Sequence, residues 1–410
     1  MAYDYHKESD SKLMTYVRDH FSEIVMGIAL IAFAFTAVFA FVSYKTESIR
    51  LVVEPAAEIS EGWTVEETKN QDNSYTLHYE NTLHDLEANH STLAFESRDE
   101  IIYVYIDGKL LYTYGIENNF AKPINLGAHY VLVELPEDAD GKDIDIYATY
   151  KGKHAEWKAE REFWLEGNDG IILKLIRADL LYIAVCFVME LLGGFELVKS
   201  FFLLCRRKPC RVHLYLSLFI FASSNYLLSD TVLMQLLFSN AYIKYIISYF
   251  AFLTLPCLFP MFAKERLTRF NLPLASAAVL SWAYSAVSMV LFVLGKIGFE
   301  KHLYIAHGLM AFVVITVLVC CILDWKNKRQ KNLVIGTIIL GVFALVSLLA
   351  YHQGYIRTSF FSAYNCRFFY YIGIICFVLV LLFDSYQRSA NKLKADADIP
   401  PATNETDVLI

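Results

Sequence analysis

Residues 44–170 contain no cysteine; all eight (Cys186, Cys205, Cys210, Cys257, Cys320, Cys321, Cys366 and Cys376) lie elsewhere. A segment without cysteine has no disulfide framework, so burial of its own core must hold it together. The adjacent Cys320 and Cys321 sit in an apolar run, where thiols behave as small hydrophobes. Positive charge is scarce in the same segment, with 11 Lys+Arg against 26 Asp+Glu, while the remainder holds 25 against 17. An acidic stretch of this kind excludes nucleic acid as its partner, and the basic, apolar remainder points to a membrane. The chain also lacks a Gly-rich phosphate loop, a His-Glu-x-x-His helix and a Gly-x-Ser-x-Gly elbow, so no cofactor is expected and no enzyme is indicated. His78, His84 and His90 recur every six residues. That spacing suits neither one helix face nor one strand face, and they read as surface histidines rather than metal ligands.

What the chain has in excess is apolar residues, 56% of 410, against roughly 45–50% in ordinary soluble domains. Crossing a bilayer takes about 20 consecutive apolar residues, and residues 23–43 supply such a run. Bulky Phe39, Phe41 and Tyr44 stand where a cleavage site would need small residues, so the run reads as an uncleaved anchor. Seven further runs begin near residue 178: roughly 178–204, 212–229, 241–263, 272–294, 303–323, 332–351 and 366–384. Lys and Arg concentrate in the amino-terminal tail and in segments near Arg206–Arg211, Lys264–Arg269, Lys326–Lys331 and Arg388–Lys394. The intervening short loops hold Lys296, Lys301 and Arg357. The bias predicts cytoplasmic amino and carboxyl termini, with the acidic segment outside the cell membrane.

The acidic segment alternates. Strands are predicted at Tyr75–Glu80, Thr92–Ser97, Ile101–Ile106, Lys109–Tyr114, Ala128–Leu135, Asp143–Tyr150 and Arg161–Glu166. Asp107-Gly108 sits at the centre of an alternating stretch and predicts a two-residue hairpin turn. Seven short strands with turn signals between them predict a β-sandwich, in particular a jelly roll. Two-residue pairing would set Tyr103 opposite Tyr112, with Ile102, Val104, Ile106 and Leu111 on one face and Tyr103, Tyr105, Tyr112 and Tyr114 on the other. That tyrosine face is either packed under the 116–127 loop or open as a platform for sugars or cations.

Ionisable residues inside apolar runs are costly and mark functional candidates. Glu190 lies deepest in the 178–204 run, and Glu196 follows within about 120° around a helix axis. Gly193-Gly194 beside them predicts close helix approach or a kink. Pro256 and Pro260 predict a bent helix. Phe360, Phe361, Tyr364, Phe368, Phe369, Tyr370 and Tyr371 crowd the outer end of the last run, as an interfacial aromatic belt would.

Four stretches carry a family likeness: Leu93–Arg98, Val104–Gly115, His129–Pro136 with Ala139–Ile146, and Phe163–Gly167 leading into the second span. With Leu253–Pro260 in the fourth span, the chain resembles bacterial seven-transmembrane receptors with diverse intracellular signalling modules. The resemblance implies a sensor whose last helix feeds a diguanylate cyclase or a histidine kinase, and only 26 residues follow Asp384 here. The expected fold is a multi-pass α-helical membrane protein, one anchor plus a seven-helix bundle, with an extracytoplasmic all-β sandwich. Its parts are a tail (1–22), the anchor (23–43), the sandwich (44–170), the bundle (171–385) and a cytoplasmic tail (386–410). The expected function is a membrane receptor for a small extracellular ligand, a carbohydrate being one candidate, that signals through a cytoplasmic protein. A homodimer is compatible with this reading; the alternatives are the truncated sensor half of a cyclase or kinase, and a small-molecule transporter.

Overall fold

The computed structural model describes residues 57–58, 62–84, 86, 91–98, 100–115, 128–151, 161–229, 231–238, 241–267, 269–294, 299–324, 331–354 and 363–397. The anchor expected at 23–43, His90, Phe360, Phe361 and the 116–127 loop lie outside the described residues.

Among the described residues, nine strands form the amino-terminal part: β1 (Ala57–Glu58), β2 (Thr64–Lys69), β3 (Ser74–Thr82), β4 (Thr92–Arg98), β5 (Ile101–Ile106), β6 (Lys109–Tyr114), β7 (Ala128–Glu134), β8 (Asp143–Lys151) and β9 (Phe163–Glu166). They make a four-stranded sheet, β1-β9-β4-β7, and a five-stranded sheet, β2-β3-β8-β5-β6. Every pairing is antiparallel. Alternate residues of both sheets meet in one core that includes Leu77, Tyr79, Phe95, Val104, Ile146 and Phe163. Phe163 stands at its centre, stacked on Trp63 at 4.0 Å and edge-on to Tyr79 at 5.4 Å. This is the two-sheet sandwich that period-two patterning with one buried face produces. Within the core, Arg161 holds Glu100 at 2.6 Å, both side chains buried, and its guanidinium lies over the ring of Tyr79 at 5.1 Å.

The hairpin turn forms as its residues require. Asp107 (φ 46) and Gly108 (φ 70) both occupy the left-handed region that a type I′ turn demands. Its register departs from simple two-residue pairing. Tyr105 pairs with Leu110 but Val104 pairs with Tyr112, so Leu111 is an extra residue in a β-bulge. The insertion turns the end of β6 over. Tyr112 and Tyr114 therefore share a face with Val104 and Ile102 and pack against the sandwich core. Burial accordingly raises the Tyr112 phenol pKa.

The described residues contain eight helices: α1 (Asn168–Cys205), α2 (Arg211–Leu228), α3 (Val232–Leu237), α4 (Ala241–Arg266), α5 (Asn271–Val293), α6 (Phe299–Leu323), α7 (Lys331–Gly354) and α8 (Ala363–Ala397). Four are long and apolar enough to cross a membrane, within Ile246–Arg266, Asn271–Phe292, Ile305–Leu323 and Tyr370–Arg388. Their outward faces are apolar: Val279 is 68% exposed and Ile315 60%, and α1 exposes Phe187 at 64% and Phe195 at 66%. Water does not tolerate so large an apolar surface, whereas lipid requires it. Inside, Phe219 of α2, Phe259 of α4 and Phe377 of α8 form an aromatic triad with centroids 5.3–6.0 Å apart. Gly193 lets α1 and α2 approach closely, since a methyl group there would lie 3.3 Å from Ile220 and Phe221. The α4 helix runs continuously through Pro256 and Pro260.

The two parts meet directly. Strand β9 ends at Glu166 and α1 begins at Asn168. The outer face of the four-stranded sheet, with Ala94, Tyr130, Leu132 and Trp164, packs on Ile171, Leu175 and Ile176 of α1 and Val232 of α3. Buried Asp179 of α1 accepts the N–H of Val232 at 2.6 Å and so fixes the start of α3.

Candidate functional site

The outer face of the five-stranded sheet carries a shallow depression of about 490 Å³, lined by Thr76, Tyr103, Tyr105, Asp145, Tyr147 and Thr149. Its order follows from register, since residues paired across antiparallel strands share a face. Tyr103 pairs with Tyr147 and Tyr105 with Asp145; on the other side of β8, Tyr147 pairs with His78 and Thr149 with Thr76. The His78 ring lies parallel to Tyr147 (centroids 4.3 Å apart, planes at 2°), and its Nε2 is 2.7 Å from Asp145 Oδ1. Tyr105 meets Tyr147 at a right angle, 5.7 Å away. A hydroxyl row closes the site: Asn70 Nδ2 donates to Thr76 Oγ1 at 2.9 Å, and Thr76 Oγ1 lies 3.0 Å from Thr149 Oγ1. Burial raises the Tyr147 phenol pKa, and the negative charges of Asp145 and Glu80 add to the rise.

Of the four tyrosines expected on one face, the structure keeps Tyr103 and Tyr105 together and sends Tyr112 and Tyr114 to the core side, Tyr114 onto the ring of buried His129 at 3.9 Å. The bulge at Leu111 is the reason. In their place come Tyr147, His78 and Asp145. Asp145 and Tyr147 are visible as alternating residues of a predicted strand, but nothing in the sequence says that this strand lies beside β5. His78, read as a surface histidine, is an ordered partner of Asp145 with 24% of its side chain exposed.

No family model, curated protein or solved structure matches this chain. The site must therefore be read from its own geometry.

The two carboxylates singled out in the first apolar run of the helical part both turn towards α2. Glu190 accepts from Asn225 Nδ2 at 3.1 Å. Glu196 is buried, with His213 Nδ1 at 2.6 Å, and Ser385 of α8 lies 3.4 Å from the same nitrogen. Glu196 stands roughly 42 Å along α1 from its start at the sheets, so this pair marks the far end of the helices. Asp384 of α8 lies at that end as well, 3.4 Å from Arg266 of α4, 3.1 Å from Arg388 and 3.3 Å from Asn332 of α7. Buried polar side chains thus tie α1, α2, α4, α7 and α8 together. His213 was not singled out in the sequence, Arg266 counted only among the basic residues of the Lys264–Arg269 segment and Asp384 only as the end of the last run, because each sits at the end of an apolar run, where charge is ordinary. Tyr370 and Tyr371, counted in the aromatic belt, instead point inward: Tyr371 donates to the Leu227 carbonyl at 2.7 Å, and Tyr370 meets Tyr226 edge-on. Among the described residues no group of three or more His, Cys, Asp or Glu could hold a metal ion.

Proposed function

We propose that the protein is a sensory receptor of the cytoplasmic membrane. Its sandwich faces outward and binds a small polar ligand, for which a saccharide is one candidate. Its helices, read as seven spans preceded by the anchor, pass a shift to a cytoplasmic protein. The observation that carries this reading is the way the sandwich is built into the helices. A sheet face packs on α1 and α3, β9 runs straight into α1, and the Gln235 side chain of α3 bonds the backbone of Tyr130 in the edge strand β7. A binding module merely displayed at the surface needs a linker; a sensor needs a stiff joint. The excess of Lys and Arg near the termini and alternate loops supports the orientation. The resemblance to seven-transmembrane receptors points the same way.

The test is a native pull-down of the full-length protein from gently solubilised membranes, beside a form lacking residues 386–410. A cytoplasmic kinase or cyclase recovered in stoichiometric amount with the first and lost with the second supports the receptor reading. Cysteines introduced on facing surfaces of α4 and α8 report the shift. Cross-linking yields that stay constant across a saccharide and amine panel, together with recovery of no partner, would sink it.

A further inference from the structure

We infer that the depression beside Tyr103, Tyr105 and Tyr147 takes an organic cation, a protonated amine, in preference to a neutral sugar; this rests on the receptor reading only in taking the site as the sensory one. Three observations carry it. The first is ring geometry. Tyr147 is covered on one side by the parallel His78 ring and meets Tyr105 at a right angle. Perpendicular rings make a corner, not a flat platform. A pyranose stacks on a single extended surface, whereas a cation placed in a corner is drawn to the negative ring faces, which perpendicular rings present from two directions, and not to the positive rims.

The second is charge. Register places Glu66, Glu80, Asp143 and Asp145 on the same outward face as the tyrosines, with His78 among them. Asp145 gives one oxygen to His78 Nε2 and lines the depression beside Tyr105 and Tyr147. Glu80 lies directly across the strand pair from Asp145. Carboxylates next to aromatic rings, at a site half-shielded from water, favour an ammonium over an uncharged hydroxyl. The third is the surrounding field. The 11 Lys+Arg and 26 Asp+Glu of residues 44–170 give this part a strongly negative balance that raises the local concentration of cations. The threonine pair Thr76–Thr149 and Asn70 supply hydrogen-bonding groups for hydroxyls or further amines on the same ligand.

Calorimetric titration of the full-length protein in detergent tests the assignment with four probes: spermidine, glucosamine, N-acetylglucosamine and glucose. Glucosamine and N-acetylglucosamine differ in whether the nitrogen carries charge. The expected result is binding of spermidine and glucosamine at least about fivefold tighter than N-acetylglucosamine and glucose. Binding should weaken with added salt, and by about fivefold in Tyr105→Leu and Glu80→Gln. Both side chains are on the solvent face, and an unchanged melting profile will show that the variants fold. Equal or tighter binding of the neutral sugars overturns the inference and leaves the receptor reading standing. So does binding of none of the probes at millimolar concentration. Amine binding without any change in α4–α8 cross-linking upholds the inference and counts against the receptor.

Discussion

Gln235 of α3 bonds both backbone groups of Tyr130, accepting from its N–H at 2.9 Å and donating to its carbonyl at 2.6 Å. Tyr130 lies in β7, the edge strand of the four-stranded sheet. An edge strand presents unpaired N–H and C=O groups that normally invite another strand. Here one side-chain amide answers a donor and an acceptor together, and it comes from the helical part. The same contact covers an edge and joins two layers of the molecule.

Replacing Gln235 by leucine keeps the bulk and removes both bonds. Each backbone group left unpaired at a half-buried site costs about 1–3 kcal/mol, so losing both should loosen the joint by roughly 2–6 kcal/mol while each part stays folded. Hydrogen exchange locates the effect. The Tyr130 amide should exchange faster in the variant, and the amides of β3 and β8, central in the other sheet, should not. Uniform acceleration across both sheets would show that Gln235 supports the sandwich as a whole rather than the joint.

Gly193 and Gly194 are neighbours with opposite surroundings. A β-carbon at Gly193 would sit 3.3 Å from Ile220 and Phe221 of α2, and the Gly193 carbonyl accepts the Ser217 hydroxyl at 2.8 Å. At Gly194 it would meet nothing within 4 Å. Gly193→Val should therefore lower the melting temperature of the helical part through overpacking of about 1–3 kcal/mol, with Gly194→Val close to neutral. Equal effects at the two positions would mean that chain flexibility, and not close approach, explains the pair.

The strands were legible wherever one face is buried, because burial imposes a period of two on the sequence. Strand β2 escaped notice for the converse reason: all six of its residues are exposed, so selection for a core leaves no mark on them. Helix α3 is six residues long and hides in a connection. The bulge at Leu111 is the instructive failure. One extra residue changes neither composition nor alternation visibly, yet it moves Tyr112 and Tyr114 to the other face. The site at Tyr147 was out of reach for a different reason: it is made by β3, β8 and β5, and their adjacency is a property of topology.

Tyr79 ties alkaline stability to the core. The side chain is fully buried, and burial pushes its phenol from 10.0 to about 12, with Glu100 adding to the rise and Arg161 opposing it. The folded state thus prefers the neutral phenol more than the unfolded chain does. That preference is fully present below pH 10 and is lost as pH climbs through about 12. The loss amounts to roughly 2–3 kcal/mol at 1.36 kcal/mol per unit. Tyr79→Phe has no proton to lose, so its melting temperature should fall less steeply than the parent's between these values. Parallel curves would show that the ring is ionised without penalty or that other groups control the alkaline transition.

Asp384 is the junction of the far-end network, and its removal should separate the behaviour of the two parts. Its carboxylate serves Arg266 of α4, Arg388 of its own helix and Asn332 of α7, with its own side chain and that of Arg266 nearly inaccessible to water. Asp384→Ala strips Arg266 of this partner and leaves it the field of Glu196. Breaking a buried ion pair from one side costs about 3–5 kcal/mol, whereas replacing both partners by apolar side chains of similar size is often neutral. The helical melting transition should therefore drop in Asp384→Ala and recover in the double variant Arg266→Met/Asp384→Leu, while hydrogen exchange in the sandwich stays unchanged in both. The double variant also separates stability from signalling. On the receptor proposal, if the polar junction serves only to hold α4, α7 and α8 together, the recovered protein should behave as the parent does in the pull-down and in α4–α8 cross-linking. If it is the element that switches, the protein should be stable and silent.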